Sequence, residues 1–180
     1  MSTGTPEKGK RNYLDWRIVA IVAVVVVAMR LFVFSSFWVP SASMEPTFKT
    51  NTLIVATKDK VQRGEVIVFK APHWGSDTNY TKRVMGVGGD TIGGCDNGGR
   101  LLVNGKPIVE TYLNGETGCN FDPVTVPEGR LWVMGDNRGD SADSRYHTLV
   151  TGDVREGTVA EEDVAGVVHV TLWPPSRVKS

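Results

Sequence analysis

The segment 18–39, IVAIVAVVVVAMRLFVFSSFWV, constrains this chain more than any other feature, because Arg30 is its only charged residue. A helix of that length is about 33 Å long, which is enough to cross a hydrocarbon core of about 30 Å. In lipid the backbone polar groups must bond to each other, and a helix achieves this even when it is rich in valine. The segment therefore predicts one transmembrane helix, with Arg30 reaching toward the outer interface near Trp38.

Two other interpretations of this segment stay open. A buried helix of a soluble protein is one, although the run of consecutive apolar residues leaves no polar face. A cleavable signal peptide is the other, because Ser41-Ala42-Ser43 offers small residues at the −3 and −1 positions. Arg30 within the apolar segment and the bulky residues 37–39 after it argue against cleavage.

The charges before the apolar segment predict its orientation. Residues 1–17 are polar, and their positive side chains outnumber Glu7 and Asp15: Lys8, Lys10, Arg11 and Arg17. Basic residues flanking a span are retained on the cytoplasmic side. We therefore expect a cytoplasmic tail over 1–17, a single-pass protein of the cell membrane, and an extracytoplasmic domain over 40–180.

Short strand-like runs dominate the chain after residue 52. They are the segments 53–56, 66–69, 101–103, 131–134 and 167–172. Asn104-Gly105 predicts a tight hairpin, because a type I′ turn needs positive φ at both central residues. No long amphipathic helical repeat follows residue 40. These patterns predict a mainly β fold, an antiparallel domain over 40–180 in which the Gly- and Asn-rich segment of about 90–130 is a small inserted subdomain.

Charge and cysteine content exclude some classes of function. Lys plus Arg and Asp plus Glu number 20 each, so a bulk basic field for nucleic acid is absent. Two cysteines and three scattered histidines do not provide a zinc site, and no metal or cofactor is expected. Cys95 and Cys119 would form a disulfide in an oxidising compartment, with two free thiols as the alternative. We expect this pair to lie away from the chemistry.

Three segments could carry chemistry. Ser43 lies between Pro40 and Pro46, but a serine hydroxyl needs a base to become a nucleophile. The base could be a histidine, of which His147 is one, or Lys82 if burial lowers its pKa; a solvated lysine on an outer strand face is the alternative. The segment 135–145 is dense in Gly, Asp, Ser and Arg. It lacks the terminal Glu and flanking helices of an EF-hand, so a hydrogen-bonded scaffold is the better interpretation.

The three segments together form a pattern: Pro40-Ser41-x-Ser43-Met44-x-Pro46-Thr47, then Tyr80-x-Lys82-Arg83-Val84-x-Gly86, then Gly135-Asp136-Asn137-Arg138-x-x-Ser141-x-Asp143-Ser144-Arg145. Their order, with a membrane span directly before the first, resembles type I signal peptidases, the membrane serine proteases that remove signal peptides. The resemblance covers roughly residues 28–176. The short chain with one span resembles the Gram-positive branch.

The resemblance implies a role for each matching position. Ser43 would be the nucleophile, Lys82 the general base, Ser41 an oxyanion donor through its hydroxyl, and Ser141 the residue that orients Lys82. A structural ion-pair network would comprise Asp143, Arg145 and Arg83. The shallow substrate pockets for small residues at −1 and −3 would be lined by Phe37, Val39, Met44, Phe48 and Thr81. Glu45, Phe48 and Thr81 depart from the residues that the family often has there.

The implied activity is endoproteolytic removal of signal peptides from preproteins at the lipid bilayer, without a metal or organic cofactor. Two rival interpretations are weaker. A self-cleaving Ser/Lys repressor protease would need a DNA-binding region where this chain has its apolar segment. A non-catalytic, membrane-anchored β-domain that binds extracellular partners would tolerate the loss of Ser43 and Lys82.

Overall fold

A computed structural model describes residues 16–32, 34–113, 115–173 and 175–177 of the chain. The chain divides into two compact units, residues 1–33 and residues 34–180. The described part of the first unit is helix α1, Trp16–Phe32, of 17 residues. The apolar side chains along residues 18–27 of this helix are exposed. Within the described ranges, no helix combines the length and apolarity needed to cross a membrane.

The prediction of one helix over residues 18–39 is wrong in its C-terminal part. The helix ends at Phe32, and Phe34–Trp38 form a strand that pairs antiparallel with Leu53–Thr57. Aromatic residues favour strands, and the neighbouring strand supplies hydrogen-bond partners for the backbone of residues 34–38. The predicted cytoplasmic tail, apart from Trp16 and Arg17, and the side chain of Arg30 lie outside the described residues.

Twelve strands and three α-helices make up the described regular structure. In chain order the strands are β1 Phe34–Trp38, β2 Leu53–Thr57, β3 Val66–Lys70, β4 Asn79–Val87, β5 Thr91–Cys95, β6 Leu101–Val103, β7 Lys106–Pro107, β8 Val124–Thr125, β9 Arg130–Met134, β10 Val159–Ala160, β11 Val164–Trp173 and β12 Pro175–Arg177. After α1, the helices are α2 Ser144–Thr151 and α3 Val154–Gly157. The five predicted strand segments are confirmed within β2, β3, β6, β9 and β11.

The strands form two sheets in which the described pairings are antiparallel. The larger sheet has the order β1-β2-β11-β3-β4-β9-β10, with β12 paired to β11. The smaller sheet has the order β7-β6-β5-β8. The mainly β, antiparallel prediction is therefore confirmed.

The smaller sheet is built from the segment between β4 and β9, where the sequence predicts an insertion. Its hairpin turns at Asn104-Gly105, with φ of 52° and 70°, so the predicted type of turn is confirmed. Residues 34–180 nevertheless form one compact unit, so the boundaries of an inserted subdomain stay a prediction.

Three apolar clusters lie among the described residues, and one of them supports the segment that contains Ser43. Met44 and Phe48 pack with Ile54, Val68 and Val168, all buried, on the strands of the larger sheet. A second cluster includes Ile67, Val84 and Val133 of the same sheet. The third joins Met85 and Trp132 of the larger sheet to Ile92 and Leu101 of the smaller one. The segment around Ser43 is thus anchored to the sheet that carries Lys82.

Candidate active site

Ser43 lies in a single 3-10 turn, Ala42–Met44, that follows β1. The turn is held from the other side by the loop after β9: the Asn137 backbone N–H donates to the Ser43 carbonyl at 3.0 Å, and Asn137 Nδ2 donates to the Ala42 carbonyl at 3.2 Å. Met44 anchors the same turn in the apolar core. Ser43 is therefore fixed by contacts on both sides rather than carried on a free loop.

Lys82 lies in the middle of β4, where both faces of the strand are covered. Its side chain is buried, with the residue 4% exposed, and it pairs across the sheet with Ile67 of β3. The Lys82 Nζ atom donates a hydrogen bond to Ser43 Oγ at 2.5 Å. The interpretation of Lys82 as a solvated lysine on an outer strand face is therefore wrong, because β3, β9 and the Ser43 turn enclose it.

Burial lowers the pKa of Lys82 to about 8. Loss of solvation disfavours the ammonium form and is the largest cause. The nearby carboxylates of Asp143, Asp140 and Asp136 act in the opposite direction, and the Arg145 charge adds to the lowering. A lysine of this pKa is substantially neutral at mildly alkaline pH, and a neutral amine is able to accept the proton of a serine hydroxyl.

Ser41 lies beside this pair. Its Oγ atom is 3.2 Å from Ser43 Oγ, and its backbone is extended. Ser41, Ser43 and Lys82 share one pocket of about 200 Å³. Two serines of one turn and a lysine 39 residues further along the chain thus converge on one small cavity.

The walls of this pocket agree with the substrate-pocket prediction only in part. Val39 and Thr81 line it, whereas the buried side chains of Met44 and Phe48 pack into the core, and Phe37 packs against that same cluster. Met44, Phe48 and Phe37 are not among the residues that line this pocket, and their contact with substrate stays a prediction. The prediction missed Pro40, Ser76, Thr78, Asn79 and Tyr80, which complete the lining.

Some of the missed wall residues carry no sequence signal. Ser76 and Thr78 belong to a polar turn in which their hydroxyls bond to each other at 2.9 Å. Pro40 and Tyr80 do stand inside the segments that the sequence singles out: Pro40 is three residues before Ser43, and Tyr80 is two residues before Lys82. Proximity in sequence would have identified these two and Asn79, the first residue of β4, whereas Ser76 and Thr78 depend on how the turn before β4 folds over the pocket.

Ser141 lies near the pair but does not bond to it. Its buried Oγ has no hydrogen-bond partner, so the expected bond from Ser141 to Lys82 is not formed in this structure. Gly135 lies between Ser141 and the turn that contains Ser43. A Cβ at residue 135 would lie 2.6 Å from Ser141 Cβ and 2.5 Å from the Ser43 carbonyl oxygen. Only glycine allows this close approach, which places Ser141 next to the Ser43 backbone instead.

The expected network of Asp143, Arg145 and Arg83 divides into two ion pairs. Arg145 Nη2 contacts Asp143 Oδ2 at 2.8 Å, and Asp143 also accepts the Gly135 N–H at 2.9 Å. Arg83 instead pairs with Asp136 at 2.7 Å. Arg83 lies opposite Met134 in the antiparallel pairing of β4 with β9, so Asp136, two residues after Met134, lies close to it. The two pairs thus lie at opposite ends of one loop.

A disulfide joins Cys95 and Cys119, with a Cα–Cα distance of 5.3 Å. Neither cysteine lines the pocket that contains Ser43 and Lys82, and the expectation that the bridge lies away from the chemistry stays a prediction. The carbonyls of Thr117 and Gly118, next to the bridge, accept hydrogen bonds from Arg138 and Arg145.

His147, the alternative base, lies in α2 and stacks on Trp74 with ring centroids 4.3 Å apart. Burial lowers the pKa of His147. In the described part of the chain, the hydrogen-bond partners of Ser43 Oγ are Lys82 and Ser41. Among the same residues, no group of three or more His, Cys, Asp or Glu side chains is arranged to hold a metal ion.

A serine hydroxyl that accepts a hydrogen bond from a buried lysine, in an antiparallel β protein, is the arrangement typical of the Ser/Lys class of hydrolases. The family model "Signal peptidase, peptidase S26" matches residues 12–173. The chain belongs to this family, and it is a serine endopeptidase.

Curated relatives extend over most of the chain. A "Probable signal peptidase I" of Mycobacterium leprae (strain TN) is 37% identical over 97% of this chain and 81% of its own length. "Signal peptidase I P" of Bacillus subtilis subsp. natto is 32% identical over 96% of both chains. A crystal structure of a signal peptidase I from Enterococcus faecalis V583 is 30% identical, covers 62% of this chain and 98% of its own, and has a TM-score of 0.48. The family resemblance inferred from the motifs is confirmed.

Proposed function

We propose that this protein is a membrane-bound endopeptidase that removes N-terminal signal peptides from exported preproteins by means of a Ser43–Lys82 dyad. The observation that carries the proposal is the 2.5 Å hydrogen bond between Lys82 Nζ and Ser43 Oγ, made by a buried lysine whose pKa is lowered to about 8. The names of the curated relatives, signal peptidase I, support the choice of substrate.

The first half of the reaction is acylation. Neutral Lys82 takes the Ser43 hydroxyl proton as Oγ attacks the carbonyl carbon of the scissile peptide bond. The carbonyl oxygen becomes an oxyanion, which the Ser43 backbone N–H and the Ser41 hydroxyl would stabilise. The tetrahedral intermediate then collapses, the C–N bond breaks, and the Lys82 ammonium group gives its proton to the leaving amine.

Deacylation repeats the sequence with water. Lys82, neutral again, accepts a proton from a water molecule that attacks the acyl carbon on Ser43. The intermediate collapses to release the signal peptide with a free carboxyl end, and the proton on Lys82 returns to Ser43 Oγ. In this mechanism Val39 and Thr81 contact the substrate side chains that precede the scissile bond.

The segment before the catalytic unit would hold the enzyme at the membrane. Helix α1 has 17 residues, fewer than the about 20 that usually span a bilayer, but its apolar side chains over residues 18–27 are exposed. We propose that α1 crosses the cell membrane with the basic N-terminal tail in the cytoplasm and residues 34–180 outside. Tethering would raise the concentration of the site where signal peptides emerge.

The dyad is tested with the full-length protein in phospholipid vesicles and a purified preprotein as substrate. Ser43→Ala and Lys82→Met should each abolish cleavage of the preprotein, measured by gel shift and by mass spectrometry of the released peptide. Lys70→Met is the matched control, because Lys70 is exposed at the end of the neighbouring strand, and its cleavage rate should equal wild type. Cleavage by Ser43→Ala at the wild-type rate would refute the proposal.

Topology is tested separately in spheroplasts that express the full chain with an N-terminal tag. Added protease should digest the C-terminal unit and leave the tag intact until the membrane is permeabilised. A C-terminal unit that resists digestion until permeabilisation would reverse the proposed orientation. Release of the intact protein by alkaline carbonate would refute the membrane span.

A further inference from the structure

The Cys95–Cys119 disulfide holds the loop of residues 117–119 next to Arg138 and Arg145, in the segment after β9. Cys119 is buried in the apolar cluster that joins the two sheets, and the bridge ties it to the end of β5. Two residues earlier, Thr117 Oγ1 donates to the Gly99 carbonyl at 2.6 Å. The residues between these anchors have little freedom to move away from the loop after β9.

Gly118 is packed directly against Arg145. The Gly118 carbonyl accepts a hydrogen bond from Arg145 Nη1 at 3.4 Å. A methyl group at position 118 would overlap that same Nη1 atom and lie 3.3 Å from Arg138 Cβ. The residue has a φ of 62°, a conformation that glycine adopts without cost. The guanidinium group of Arg145 therefore occupies space that exists only because residue 118 has no side chain.

Arg145 in turn holds Asp143. Its Nε and Nη2 atoms contact the two carboxylate oxygens of Asp143 at 2.9 and 2.8 Å, and Nη2 also donates to the Arg138 carbonyl at 2.9 Å. The Asp143 carboxylate is fully buried and accepts the Gly135 N–H. Displacement of Arg145 would leave this buried carboxylate without its partner cation.

The charge at Asp143 acts on Lys82, with several other charges around it. Among the charges that bear on the pKa of Lys82, Asp143 raises it most, whereas the Arg145 charge lowers it. Lys82 also contributes to lowering the pKa of His147 on α2. Arg83, the next residue of β4, is paired with Asp136. The groups that face Lys82 from the packed elements are Asp136, Asp140, Asp143, Arg145 and His147.

We propose that Gly118 and the Cys95–Cys119 disulfide are positioning elements of the active site: they hold Arg145 on Asp143, behind the Ser43–Lys82 pair. The proposal rests on the proposed function of that pair. None of these three residues lines the pocket that contains Ser43 and Lys82. Displacement of the loop would move Arg145 away from Asp143 and leave the negative charge of Asp143 unpaired. That charge favours the ammonium form of Lys82, so a higher pH is needed to make the lysine neutral.

The experiment is the pH dependence of kcat/KM for preprotein cleavage by the full-length enzyme in vesicles. Gly118→Ala should move the rising limb of the profile to higher pH by roughly one pH unit, with the wild-type plateau reached at alkaline pH. At pH 7 the kcat/KM of Gly118→Ala should then be about tenfold below wild type, and above the shifted limb the two values should be equal. A substitution that only damages the fold would lower the rate at every pH instead.

Gly105→Ala is the matched control. Gly105 lies in the hairpin of the smaller sheet with a φ of 70°, and no atom lies within 4 Å of a Cβ built there. The two substitutions impose a similar backbone strain, and only Gly118→Ala displaces a guanidinium group. The profile of Gly105→Ala should coincide with wild type. Cys95→Ala/Cys119→Ala should shift the profile in the same direction as Gly118→Ala.

A double-mutant cycle separates action through Arg145 from a general effect of the loop. Arg145→Lys retains a charge but lacks the Nη1 atom, so a methyl group at residue 118 no longer overlaps it. Adding Gly118→Ala to Arg145→Lys should change the profile no further. An unchanged profile for Gly118→Ala alone, or the same additional shift in the Arg145→Lys background, would overturn the inference.

The Lys82→Met variant distinguishes failure of the proposed Ser43–Lys82 dyad from failure of the positioning role alone. If Lys82→Met still cleaves the preprotein, the proposed dyad fails. If Lys82→Met is inactive and Gly118→Ala keeps the wild-type profile, only the positioning role fails. Circular dichroism checks that each variant is folded, and if Gly118→Ala does not fold, the double cysteine variant provides the same test.

Discussion

Arg83 and Asp136 form a two-point ion pair in which both side chains are fully buried. Nε and Nη2 of the arginine contact the two carboxylate oxygens at 2.9 and 2.7 Å. Asp136 also accepts a hydrogen bond from Thr47 Oγ1 at 2.5 Å. Arg83 follows Lys82, Thr47 follows the Ser43 turn, and Asp136 begins the loop that contains Asp143. One ion pair thus connects the three segments that build the site.

Breaking this pair should destabilise the whole catalytic unit. Arg83→Met would leave the Asp136 carboxylate buried without a cation, which costs about 3–5 kcal/mol of unfolding free energy. Urea unfolding followed by tryptophan fluorescence measures the loss. Arg100→Met is the control, because the Arg100–Asp96 pair is half exposed at the arginine and should contribute no more than about 1 kcal/mol. Equal losses in the two variants would contradict the assignment.

The sequence predicted the parts of this fold that depend on local pattern. The apolar, strand-favouring composition of segments such as 131–134 and the positive φ required at Asn104-Gly105 are properties of neighbouring residues. The end of α1 was not predictable in this way, because residues 34–38 are apolar enough for a helix. Pairing with β2, which lies about twenty residues further along the chain, decides that they form a strand.

The same distinction holds within the site. Motif order identified Ser43 and Lys82, and the fold brings their side chains into contact across 39 residues of sequence. The partner of Arg83 depends on the register between β4 and β9, which no local pattern specifies. The directions of Met44 and Phe48 depend on which side of a short turn faces the sheet. The partner of Arg83 and the side-chain directions of Met44 and Phe48 thus depend on tertiary contacts, which the folded structure shows and a local sequence pattern does not.

The Ser41 hydroxyl should matter mainly in the transition state. Its Oγ is 3.2 Å from Ser43 Oγ, within reach of the oxyanion that would form beside the nucleophile. Ser41→Ala should reduce kcat about 10²–10³-fold with little change in KM, because the lost bond forms with the oxyanion and not with the substrate carbonyl. Single-turnover cleavage of a preprotein measures this loss.

Two further variants control this experiment. Ser41→Thr keeps a hydroxyl at the same position and should retain much more activity than Ser41→Ala. Ser36→Ala removes an exposed hydroxyl from β1 and should have the wild-type rate. Wild-type kcat in Ser41→Ala would remove the hydroxyl from the mechanism.

The disulfide should stabilise the folded unit. It closes a loop with a sequence separation of 24, for which the chain-entropy model gives about 3 kcal/mol. Cys95→Ala/Cys119→Ala should lower the unfolding free energy by up to that amount, and alanine avoids placing a new hydroxyl at the buried Cys119. Thermal unfolding with and without a reducing agent provides the control: the reductant should lower the Tm of wild type and leave the double variant unchanged. A Tm of wild type that is insensitive to reduction would contradict a stabilising bridge.

The pH dependence of cleavage should report the base. Lys82 is active when neutral, so kcat/KM should rise with pH through an apparent pKa of about 8 and level off above it. At pH 7 about one-tenth of the enzyme would then carry a neutral lysine. Lys82→Arg should be inactive across the whole range, because a guanidinium group does not lose its proton in water.

His147 is the rival that this profile must exclude. Its ring stacks on Trp74, and burial lowers its pKa, so a histidine base would produce a limb at lower pH than a lysine base. His147→Ala should therefore leave both the rate and the position of the limb near pH 8 almost unchanged, apart from a small loss of stability from the missing ring contact. Parallel pH–rate profiles of wild type, Lys82→Met and His147→Ala decide between the two bases. Cleavage that survives in Lys82→Met and disappears in His147→Ala would replace the Ser/Lys mechanism by a Ser/His mechanism.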